Sequence, residues 1–162
     1  MDDIDIKILE ILQLDSDIPN NRLARLVNLS PSSVLGRVRR LKREGYIRKC
    51  VAILDEEKIG KSTTAYVFIT LSPHKPAIAR SFVKKIQGNP HVNECSHITG
   101  EADYLLRVVA RDIPEYRDVL FGTLISMPEV ETVRTWFVLK TEKRDTRFPI
   151  RSTGPGRKES RK

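Results

Sequence analysis

Apolar positions recur with a helical period in the first third of the chain, whereas the remainder is built of β-branched and aromatic runs separated by helical stretches. In residues 3–14, Ile4, Ile8, Ile11 and Leu12 share one helical face, behind Asp2 and Asp3, whose charge suits a helix N-terminus. Asp15 to Pro19 interrupts the pattern, and Leu23, Leu26 and Val27 predict a short second helix, with Ala24 small enough for a close crossing. Asn28 suits a left-handed turn and Leu29 anchors it in the core. A third helix is expected from Pro31 to Glu44, with Ser30 as its cap and Pro31 in its first turn. Val34, Val38 and Leu41 face inward with Leu35 beside them, and Gly45 stops the helix. This is the layout of a helix-turn-helix.

Tyr46, Ile47, Val51, Ile53 and Leu54 predict a short extended segment before the charged run at 55–58 and the break at Gly60. Beyond it the period changes. Strands are expected at 62–70, 92–99, 104–110 and 130–139, and helices from Pro76 to Ile86 and from Ile113 to Ile125. Ile78, Phe82, Val83 and Ile86 line the first of these helices, and Tyr116, Val119, Leu120 and Leu124 the second. The predicted class is α+β: a helix-turn-helix (winged-helix-like) domain at 1–50, a linker with a short strand at 51–61, and a ferredoxin-like βαββαβ (ACT-like) domain at 62–141. A basic tail at 142–162 has little to pack at its end, which is expected to be disordered. Both helices of the second domain fall on one face of its sheet, and the strands are apolar enough that another subunit is expected to cover the other.

Charge sharpens the first domain. The chain of 162 residues carries a net charge of +8, but residues 140–162 hold nine basic and three acidic side chains and so most of the excess. More telling is the local run from Arg37 to Lys49, with seven basic residues against Glu44 alone, for which a polyanion is the natural partner. The outer face of the third helix combines Ser32, Ser33 and Gly36 with Arg37, Arg40 and Arg43, small residues for close approach and guanidinium groups for guanine or phosphate. With Ser30 and Arg22, these side chains are the candidate contacts to double-stranded DNA. Gly36 is the odd member, costing about 1 kcal/mol in a helix interior relative to alanine. Either it permits close approach to DNA or to a neighbouring helix, or it is simply tolerated.

Other chemistry finds no pattern. There is no phosphate-binding glycine loop, no HExxH and no paired-cysteine metal site, so neither a cofactor nor a metal is expected and an enzyme is disfavoured. His74, His91 and His97 read as surface or turn residues. Cys50 and Cys95 read as reduced thiols of a cytosolic protein, and the acidic start at MDDIDIKILE does not have the form of a secretion signal. No apolar run approaches the length of a membrane span.

Taken together, the halves resemble the leucine-responsive regulator/asparagine regulator (Lrp/AsnC, feast/famine) family of transcription factors. The resemblance covers about residues 2–150. It rests on Asp5-x-x-Ile8-Leu9, Asn28-Leu29-Ser30-Pro31, Arg37-Val38-x-Arg40-Leu41 followed by Gly45-Tyr46-Ile47, Leu54-Asp55, Val92-x-Glu94-Cys95, Thr99-Gly100-x-x-Asp103-Tyr104 and Met127-Pro128-x-Val130. It implies a sequence-specific DNA-binding transcriptional regulator, cytoplasmic and nucleoid-associated, forming a homodimer that assembles into larger dimer-based oligomers such as an octamer. It also implies a small-molecule effector, commonly an amino acid, held between subunits by the stretch matching Thr99, Gly100, Glu101 and Asp103. Physically, Gly100 admits backbone amides to a carboxylate and Asp103 can accept from an α-ammonium group, or Asp103 only holds a tight turn. The sequence departs from the family pattern at Asp17, Gly36 and Lys42. The alternative function is a DNA-organising protein of the same shape, with low sequence specificity and no effector response.

Overall fold

A computed structural model describes residues 1–150, and the expected disordered end of the tail lies outside the described residues. The described chain divides into two compact units, one comprising Met1–Ile53 with residues 143–150 and the other Leu54–Glu142.

The first unit contains α1 (Asp3–Leu14), α2 (Asn20–Leu26) and α3 (Pro31–Arg43). Asp2 and Asp5 close α1 with a reciprocal capping box, in which each side chain accepts the other's backbone N–H. Between α2 and α3 Asn28 takes a φ of 54°. Ser30 caps α3 by accepting the Ser33 N–H, and Gly45, at φ 80°, turns the chain so that Ile47 N–H reaches the Leu41 carbonyl. The core is Ile8, Leu9, Leu23, Ala24, Val27, Val34 and Leu41. Leu26, expected inward, is 54% exposed, because in so short a helix Leu23, Ala24 and Val27 already define the buried arc. The segment after Lys143 returns to this unit: Phe148 donates its N–H to Gln13 Oε1 at 2.6 Å and accepts from Gln13 Nε2 at 3.1 Å, while Ile150 packs on the core.

In the second unit β1 (Thr63–Leu71), β2 (Val92–His97), β3 (Tyr104–Ala110) and β4 (Val130–Phe137) form a four-stranded sheet in the order β2-β3-β1-β4, antiparallel throughout. Helices α4 (Pro76–Gln87) and α5 (Ile113–Val119) connect the strands, and α5 widens into a π-helical turn at Leu120–Leu124, for which the sequence offers no signal. Ala65, Val67, Ile69 and Leu71 alternate toward the helices and, with Leu106, Val108, Phe82 and Ile86, make the core. The opposite face carries Tyr66, Phe68 and Trp136, the last two in ring contact at 4.7 Å, and Trp136 is 65% exposed.

The short strand expected within 51–61 does not form. Val51, Ile53 and Leu54 are exposed and pair with no strand among the described residues, since a ladder needs a partner that the sheet does not extend to them. Residues 55–60 instead make a tight turn, with Asp55 accepting the N–H groups of Glu57 and Lys58.

Candidate functional site

The residues nominated as DNA contacts separate into two groups. Ser32, Ser33 and Arg43 on α3, and Arg22 on α2, are exposed. Ser30 is exposed too, but its hydroxyl is occupied by the helix cap and by the hydroxyls of Ser32 and Ser33, at 3.1 and 2.8 Å.

Arg37 and Arg40 face α1. Arg37 Nη1 lies 2.7 Å from Asp2 Oδ2 and 2.8 Å from Asp5 Oδ1, and Arg40 Nη2 lies 2.5 Å from Asp5 Oδ2. Only 1% of the Asp5 side chain is accessible, against 26% for Arg37 and 38% for Arg40. A buried carboxylate without cations would be costly, so these two arginines are needed by the fold whatever else they touch. The pairing with Asp2 and Asp5 raises the Arg37 pKa, and the same Arg37 hydrogen bond lowers that of Asp2. Asp5 belongs to the family-pattern residues of the first helix, and a charged residue amid Ile4, Ile6 and Ile8 is the one signal in the sequence of its buried role.

With Arg37 turned toward α1, the outward face of α3 is made by Ser32, Ser33, Gly36, Arg39 and Arg43, all exposed. Arg39 is a member of this face that lies outside the sequence-derived candidates. It stands three residues after Gly36 and four before Arg43, on the side of the helix away from the buried Val34 and Leu41.

The four effector candidates also part company. Gly100 sits in the turn at φ 117°, a conformation open to glycine, and Thr99 and Glu101 are exposed beside it. The Glu101 carboxylate accepts from Arg134 Nη1 of β4 at 3.0 Å. Asp103 points elsewhere: Oδ2 accepts the Leu71 N–H at 2.7 Å where the β1–β4 register shifts, and lies 3.6 Å from His74 Nδ1. The Asp103 main chain is used as well, its N–H donating to Ile69 and its carbonyl accepting from Ile98.

Asp103 thereby helps line a hollow of about 200 Å³ with Pro73, His74, Lys75, His97 and Tyr104. A neighbouring hollow of about 380 Å³ shares His97 and Tyr104 and adds Val83, Ile86 and Cys95. Between them they present two carboxylates, Asp103 and Glu94, an ammonium and two imidazoles beside an apolar wall, a mixture that suits a small zwitterion with an apolar side chain. His97 stacks on Tyr104 at 5.0 Å, and burial raises the Tyr104 and Cys95 pKa values. The sequence marks His74 and His97 as surface or turn residues; both are exposed, and the fold brings them to the Asp103 hollow. Among the described residues no cluster of His, Cys, Asp and Glu has the form of a metal site, and no helix is long and apolar enough to cross a membrane.

A further ion pair has no local signature in the sequence. Arg107, on the open sheet face, is 8% exposed and donates through Nη2 to both oxygens of Glu56, at 2.8 and 2.9 Å, so the turn at 55–60 is held to β3.

Comparison with known proteins assigns both halves. Residues 1–48 match a winged helix-turn-helix DNA-binding family, and residues 64–148 match the Lrp/AsnC ligand binding domain. The chain is 39% identical over 150 residues to the transcriptional regulator AzlB of Bacillus subtilis, covering 93% of this chain and 96% of that protein. It is 36% identical over 152 residues to the leucine-responsive regulatory protein of Escherichia coli K12, covering 94% and 93%. A transcriptional regulator of Neisseria meningitidis, solved as a complex with L-Met, superposes with a TM-score of 0.88 at 32% identity, covering 92% of this chain and 96% of that one.

Proposed function

The chain belongs to the Lrp/AsnC family of transcriptional regulators, and we propose that it reads duplex DNA with the outward face of α3 and takes an amino acid, or a related small metabolite, at the hollow beside Asp103. The observation that carries the reading is the exposed serine and arginine face of α3, fixed in orientation by the buried Asp5 carboxylate. Ser32 and Ser33 supply short hydrogen-bonding groups, and Arg39 and Arg43 supply long cations for phosphate or guanine. In the hollow, Asp103 accepts from an α-ammonium group while Lys75 faces the α-carboxylate. The Neisseria relative's complex with L-Met supports an amino acid as the ligand class.

The open sheet face around Tyr66, Phe68 and Trp136 is the surface on which a second copy docks. Paired reading heads then engage half-sites about one helical turn, or a multiple of it, apart. Effector binding shifts the population among assemblies and so changes operator affinity.

The test is a panel of proteinogenic amino acids added to the full chain bound to duplex from its own upstream region, with mass in solution read in parallel. One amino acid, or a few of related chemistry, changing affinity together with mass is the expected result. Equal affinity for that duplex and for random DNA, with no response to any amino acid, favours the DNA-organising alternative.

A further inference from the structure

Gly36 lies in the middle of the outward face of α3, one turn after Ser32 and Ser33 and one turn before Arg39. It is exposed, and a Cβ built on it meets no heavy atom within 4 Å. Its backbone is ordinary right-handed helix, unlike Gly45 and Gly100, which need a positive φ. Neither close packing nor backbone conformation therefore calls for glycine. Alanine would fit the same space and is the better helix former. The fold on its own favours the residue that is not there.

We infer that Gly36 determines DNA sequence preference: the missing side chain lets α3 approach the base edges closely and seats the C5 methyl of a thymine against bare helix backbone. Glycine offers no side-chain hydrogen bond, so what it can select is bulk on the DNA side. In the major groove the thymine methyl is the apolar group that projects from a base pair. Hydrogen-bonding readout falls to the flanking Ser32, Ser33 and Arg39. The inference rests on the proposed use of the α3 outward face for DNA.

The experiment uses the full chain and a duplex enriched by the wild-type protein from a random-sequence library. Gly36→Ala is expected to raise the unfolding temperature by about 4 °C. It should also weaken binding to the enriched duplex by about tenfold, as for one mismatched base pair. Affinity for a random duplex should stay the same, and reselection with the variant should return a motif altered at an A·T position. A more stable variant that binds the enriched duplex as well as the wild type does overturns the inference, leaving Gly36 merely tolerated. Equal losses on both duplexes overturn it too, because the position would then meet phosphate rather than bases. Arg39→Ala/Arg43→Ala, measured alongside, reports on the premise: unchanged affinity for either duplex removes α3 as the DNA face, whereas Gly36 failing alone leaves that face in place.

Discussion

The Arg37 guanidinium donates to the Asp5 carboxylate at 2.8 Å, joining α3 to α1 through a side chain that solvent hardly reaches. Asp5→Asn keeps the volume but removes the charge that Arg37 and Arg40 share. Breaking a fully buried pair costs about 3 to 5 kcal/mol; with the two arginines 26% and 38% accessible, about 2 kcal/mol is expected. Thermal unfolding of the first unit measures it. An unchanged midpoint would mean that the clamp contributes nothing.

Arg37 and Arg40 should behave differently from Arg39 and Arg43 when each is changed to alanine. Loss of Arg37 or Arg40 is expected to lower stability along with DNA affinity, because each partners the α1 carboxylates. Loss of Arg39 or Arg43 should leave stability within about 0.5 kcal/mol, as for exposed surface positions. It should reduce the slope of log affinity against log salt by about 1 for each phosphate contact removed. Identical stabilities for all four variants would contradict this division.

The division also marks where the sequence was legible. The β-branched and aromatic run at 62–70, the spacing of Val34, Val38 and Leu41, and the Ser30-Pro31 start are local patterns, and the elements follow them closely. The partner of a charged side chain is not local. From sequence, Arg37 and Arg40 looked like Arg39 and Arg43, and only the packing of α1 against α3 distinguishes them. Asp103 and His74 are likewise 29 residues apart and meet because β1 and β3 are neighbours. The pairing of Gln13 with the Phe148 backbone leaves no periodic trace at all, so the sequence pattern sets the start of the tail apart from the domain it packs with.

Trp136→Glu tests the docking face. The side chain is 65% exposed against Phe68, so in an isolated chain the substitution costs little. In a dimer joined through this face it buries an unpaired carboxylate. Halved mass in solution with an unchanged circular dichroism spectrum is expected, and an unchanged mass would place the subunit contact elsewhere.

Acid should weaken the second unit through Glu129. The Lys85 hydrogen bond is the main cause holding the Glu129 carboxyl below its ordinary 4.5. A carboxylate lowered on folding contributes stability that is complete above about pH 4.5 and is lost as pH falls through the lowered folded value. Lys85→Met should therefore be less stable than the wild type at pH 6, with the gap closing toward pH 3. Urea midpoints across that range read the gap, and a gap independent of pH would exclude this linkage.

Asp103 has two roles that one substitution can separate. Its Oδ2 accepts the Leu71 N–H at 2.7 Å, so Asp103→Ala leaves a main-chain donor without its acceptor and is expected to cost about 1 to 2 kcal/mol. Loss of effector response in that variant would be ambiguous, since a loosened end of β1 also reshapes the hollow. Asp103→Asn retains a carbonyl oxygen for Leu71 but not the negative charge that pairs with an α-ammonium group. The amide variant should unfold near the wild-type temperature while losing the amino-acid response. If it keeps the full response, the Asp103 charge is not what the effector meets, and the side chain serves only to fasten β1 beside β3.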